Sequence, residues 1–139
     1  MKMTSKYSML LFTAGLLMAV WPIAAHHSFA AEFDSTKVVT LTGKFTKMDW
    51  VNPHSYIHMD AVDPDTGKMA SWDIETGPPN TLYRNGWRKT DIKEGQEITV
   101  VGTRAKNGTN TVNARSCRTP DGRTLLAGSS EGAAATGAK

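Results

Sequence analysis

The chain has 139 residues and a formal charge of +3, with 40% hydrophobic and 21% charged residues. That is the composition of one globular domain with one modest core, and it excludes collagen-like, coiled-coil and wholly disordered classes. Without residues 1–25 the chain loses Lys2 and Lys6 and keeps 14 Lys and Arg against 13 Asp and Glu, which leaves no basic surplus to neutralise phosphates, so no nucleic-acid partner is expected.

Residues 1–25 have the layout of a secretory signal peptide. A basic start is followed by apolar Met9 to Val20 and by small residues up to Ala25. This uncharged twelve-residue stretch falls short of the roughly 20 that a spanning helix needs, and no second apolar run follows. A periplasmic or secreted protein with no stable membrane span after processing is expected. Cleavage after Ala25 makes His26 the first residue. A cut after Ala24 sets Pro22 at an awkward position, and one after Ala30 discards His26 and His27. Cys117 is the single cysteine, so no internal disulfide forms and the fold depends on its core.

Residues 26–37 read as an N-terminal arm, in which a helical turn would bring Phe29 and Phe33 to one side. Val38 to Trp50 is a first strand. Leu41, Gly43 and Phe45 share one phase and Met48 and Trp50 the other, so a bulge near Thr46-Lys47 is required. After a turn at Asn52-Pro53, His54 to Val62 alternates with Ile57, Met59 and Ala61 inward. Asp63 to Lys68 turns the chain into a third strand, Met69 to Glu75, with Ala70, Trp72 and Ile74 inward. Pro78-Pro79 opens a helix of at most two turns, with Leu82 and Tyr83 on its apolar side and Gly86 as its stop. Three further strands follow at Glu97–Ala105, Asn110–Arg118 and Arg123–Ala127. Residues 128–139 read as a disordered tail.

This order predicts an all-β fold with one short helix. It fits a small five- to six-stranded OB-like Greek-key barrel over residues 38–127, with the helix between strands 3 and 4. A β-sandwich or a meander barrel shares the same strand count.

Three segments carry a family likeness: HHSFAAEFD at 26–34, WVNPH at 50–54 and PNTLYRNGW at 79–87. Together they resemble a family of small exported bacterial proteins of unknown function. The resemblance implies a secreted single domain and supplies no activity. Gly95 to Gly102 also resembles a strand of periplasmic barrels of the oligonucleotide-binding fold, and fold likeness does not license function.

The four histidines are His26, His27, His54 and His58. A free N-terminal His26 can chelate a metal through its amine and its ring together, and imidazole suits copper, zinc and nickel. His54 would complete a T-shaped copper site similar to the histidine brace of copper oxygenases, with His27 as an auxiliary ligand. His58 lies on the same strand face as His54, but about 13 Å away at ~3.3 Å per residue, too far to share the ion. The competing reading has His54 and His58 facing solvent, with His54 ordering the Asn52-Pro53 turn.

Trp50 and Tyr56, with His58 beside them, are candidates for stacking on a sugar or a base, whereas Trp72 and Trp87 read as core. Arg84, Arg88 and Lys89 form a basic spot suited to an anion or a partner. Asp60, Asp63 and Asp65 read as turn chemistry because they lack calcium-loop spacing. Asp73 and Glu75 read as a solvated face. No nucleophile elbow, phosphate loop or zinc-finger spacing is present.

These features point to a non-enzymatic exported binding module, with copper as the candidate cofactor. The alternative is an interaction subunit that docks on a larger periplasmic protein through the HHSFAAEFD arm and surface aromatics. An enzyme is the third reading, which a pocket joining His54 to Asp73 or Glu75 would favour.

Overall fold

In the computed structural model, residues 28–128 are described, so the expected signal peptide at 1–25, His26, His27 and residues 129–139 lie outside them. The elements in chain order are α1 (Ser28–Glu32), β1 (Phe33–Asp49), β2 (Tyr56–Val62), β3 (Met69–Glu75), α2 (Pro79–Arg84), β4 (Glu97–Ala105), β5 (Thr111–Arg118) and β6 (Thr124–Leu126). Among the described residues no helix is long and apolar enough to cross a membrane.

The six strands form one sheet in the order β3-β2-β1-β4-β5-β6, with antiparallel neighbours throughout. β3 also meets β5 in parallel, Asp73 to Glu75 facing Thr111 to Asn113. The alternating strand patterns converge on a single core. Leu41, Phe45, Ile57, Met59, Trp72, Ile74, Ile98 and Val100 are all buried there. Leu82 of α2 and Trp87 just beyond it plug this core. Cys117 is also part of it, and burial pushes its thiol up to about 12, so it is a packing residue rather than a nucleophile.

Two expectations need correction. There are two short helices, not one, and the segment taken as an arm is largely structured, because β1 starts at Phe33 rather than Val38. The cause is tertiary. Phe33 is buried and its ring stacks on Phe29 at 5.4 Å. The Lys106 amide donates to the Glu32 carbonyl, and the Lys106 ammonium donates to the Ala30 carbonyl. The turn after β4 thus clamps α1 onto the sheet. The bulge in β1 falls at Thr46, between Phe45↔Met59 and Lys47↔His58, where the change of phase requires it.

The aspartates of the β2–β3 turn do more than shape it. Arg104 of β4 binds both oxygens of Asp63 at 3.0 and 3.2 Å and reaches Asp65 at 2.6 Å. Its guanidinium also lies 5.0 Å from the centre of the Trp72 ring. Hydrogen bonding from Arg104 first, then from the Asp65 amide, holds the Asp63 carboxyl below its usual range. Arg104→Ala leaves Asp63 buried and without its cation. It should cost about 2 kcal/mol in urea unfolding, less than a fully interior pair because Asp65 stands in solvent.

The β5–β6 turn carries a titration of known sign. Thr119, then Arg123, hydrogen-bond Asp121 and hold its carboxyl down to about 2. A depressed native pKa adds stability above the unfolded value near 3.9 that is lost as pH falls toward about 2. The melting temperature should therefore decline between about pH 4 and 2, and Asp121→Asn should flatten that decline.

Candidate functional site

A six-residue connection, Asp63 to Lys68, sets the β2–β3 register, so that His58 faces Asp73 and Tyr56 faces Glu75. The outward face of this hairpin is therefore an imidazole and phenol row opposed by carboxylates. Its two ends behave differently.

At one end, both ring nitrogens of His58 are engaged. Nδ1 lies 2.7 Å from Asp73 and Nε2 lies 3.0 Å from Asp49. Hydrogen bonds from Lys47 and then His58 hold Asp49 below the usual carboxylate range. A histidine with both nitrogens committed offers no lone pair to a ligand.

At the other end, His54 sits just before β2 with its Nδ1 3.0 Å from Glu75 Oε1. Glu75 is only 8% exposed, so it is not the solvated residue that its outward phase suggests. The parallel β3–β5 contact covers it, and Asn113 Nδ2 donates to the same Oε1 at 3.1 Å. Burial pushes the Glu75 carboxyl above its usual range, against the opposing pull of His54 and Asn113. Burial first, then the charges of Glu75 and Glu32, likewise push the Tyr56 phenol up. Glu32, at the end of α1, joins Tyr56 and Glu75 in lining a cleft of about 560 Å³. His54 is not part of that lining.

A buried carboxylate beside one ring nitrogen leaves the other as the one open to a ligand. This is how proteins orient a metal-binding histidine or a general base. Among the described residues no group of three or more His, Cys, Asp or Glu could hold a metal ion. His26 and His27, the other expected metal ligands, lie outside the described residues.

The other expected site residues gather around α2. Trp50 stacks on Tyr83, centroids 5.2 Å apart, and not on Tyr56. Arg88 stands 6.0 Å from the Tyr83 ring centre and donates to the carbonyls of Tyr83 and Trp87. Arg84 reaches only Thr81 Oγ1. Tyr83 is the residue that sequence reasoning missed as a stacking partner. Its place on the apolar side of a two-turn helix was the available signal.

Residues 15–114 match the model of a family of unknown function, DUF6152. The chain belongs to that family. The DUF6152 match spans His54, Tyr56, Glu75, Tyr83 and Asn113, so both residue groups just described lie within it. No curated protein and no solved structure matches the chain.

Proposed function

We propose that the chain is an exported, non-enzymatic binding module that binds copper at its processed N-terminus, with His26 and His54 as ligands and His27 as an auxiliary. The observation that carries this reading is the carboxylate behind His54. Glu75 is buried, held by Asn113, and has its Oε1 3.0 Å from Nδ1, so that its negative charge acts on the imidazole from that side. The clamping of α1 by Lys106 limits where His26 can stand. Ser28 begins a helix fixed to the sheet, and two residues of chain reach at most about 7 Å from there back to His26.

The same reading takes the sheet as a small OB-like barrel. The support is the run of pairings from β1 through β2, β3, β5 and β4 back to β1, with α2 following β3 in the chain.

Docking through the HHSFAAEFD arm loses its strongest anchor in this arrangement. Phe33 is 3% exposed and packs on Phe29 within the same chain.

Isothermal titration of protein exported with its own leader, and shown by intact mass to begin at His26, tests the proposal. One Cu(II) per chain with a Kd below ~10 μM is expected, and His26→Ala should abolish it. Binding weaker than that, or unchanged by His26→Ala, overturns the reading.

A further inference from the structure

Trp50 and Val51 belong to the loop between β1 and β2, and Tyr83, Arg84 and Arg88 to α2 and its exit. The Trp50–Tyr83 stack joins these two segments into one surface. Val51 is 48% exposed and Tyr83 38%. Leu126, 66% exposed, is tied to the same helix end, because Asn85 and Trp87 both donate to its carbonyl. Three exposed large apolar side chains thus surround one six-residue helix.

The charge of this surface is one-sided. Arg84, Arg88 and Lys89 are exposed, and none forms an ion pair with a carboxylate among the described residues. The nearby acids are committed. Asp49 pairs with Lys47 and His58, and Asp91 pairs with Arg123 and accepts from the Arg88 amide. The side chains are also held in place before any partner arrives. Tyr83 lies between the reach of Trp50 and Arg88, and the Arg88 guanidinium is pinned by two backbone carbonyls. Rigid Trp, Tyr and Arg side chains are the usual energetic centre of protein interfaces, because little rotamer freedom is lost on binding.

We infer that this face is a docking site for an acidic segment of a partner protein. Apolar contacts around Tyr83 would exclude water, while Arg84, Arg88 and Lys89 receive carboxylates. A membrane surface fits less well. Trp50 is packed against the core and stacked on Tyr83, so its ring is not free to enter a headgroup layer. The inference stands independently of copper binding.

A photo-crosslinking residue at Val51 of the full chain, in the cells that naturally export it, tests the inference. Val62 is the control, since it is 50% exposed but at the far end of β2. The expected result is one discrete adduct at position 51 and none at 62, with the captured peptide rich in Asp and Glu. Combined Arg84→Glu and Lys89→Glu should cut its yield about tenfold while the melting temperature is unchanged. No adduct, an adduct equal at both positions, capture of lipid or of a second copy, or a yield indifferent to charge reversal overturns it. So does a captured segment without acids.

Discussion

His54→Ala is expected to weaken Cu(II) binding to the processed protein at least about 100-fold, and Glu75→Gln about 10–100-fold. The first substitution removes the only ligand that the proposal draws from the described residues. The second keeps the shape of the side chain but removes the negative charge 3.0 Å from Nδ1, on which the proposal rests. Because Glu75 also takes a hydrogen bond from Asn113, Glu75→Gln must be followed by its melting curve as well as by titration. A variant that melts normally and binds copper normally would show that the carboxylate has a packing role alone. His58→Ala is the contrasting case. Both its nitrogens are occupied by Asp73 and Asp49, so copper affinity should not change.

Gly43→Ala should be among the most damaging single methyl additions available in this chain. A Cβ at Gly43 would sit 2.0 Å from the Asp60 carbonyl oxygen and 2.8 Å from the Ala61 Cβ. Those atoms belong to β2, which is paired with Gly43 through Ala61, while β4 is paired on the other side through Ile98. Neither neighbour can yield without loss of ladder hydrogen bonds and of the core packing beneath them. The cost should reach about 4 kcal/mol or more, a large part of the 5–15 kcal/mol that holds a typical domain together. Urea unfolding measures it, and a midpoint close to that of the parent would refute the steric argument. Gly108→Ala is the companion measurement. That position has open space but a φ of +78°, so only the conformational penalty of about 1 kcal/mol is expected.

Much of the secondary structure is readable in local order. β3 and β4 coincide with the predicted Met69–Glu75 and Glu97–Ala105, and the inward residues of β2 and β3 are those that the alternation assigns. Short half-buried strands expose their period of two, and turns such as Asp63 to Lys68 declare themselves by composition. Counting outward from that turn even gives the Tyr56↔Glu75 and His58↔Asp73 pairings. The start of β1 is not readable in this way. Residues 34–37 are polar and exposed or half-exposed, and their extended path follows from Phe33 being buried beside β4. Arg104 likewise carries no local sign that it will close on Asp63, 41 positions away.

The candidate site divides along the same line. Histidine count, the charge near neutrality and the residues able to bind metal are properties of composition and order, and they survive any arrangement of the strands. Which histidine keeps a nitrogen to offer is a matter of three-dimensional contact. His58 falls between the half-buried Asp49 and the exposed Asp73, whereas His54 meets a carboxylate that β5 has covered from the other side. That cover comes from a parallel contact between strands whose paired residues, Glu75 and Asn113, are 38 apart. Periodicity reports which way a side chain points relative to its own strand. It does not report what another strand will place on top of it, because burial is decided by contacts that no short window of residues contains.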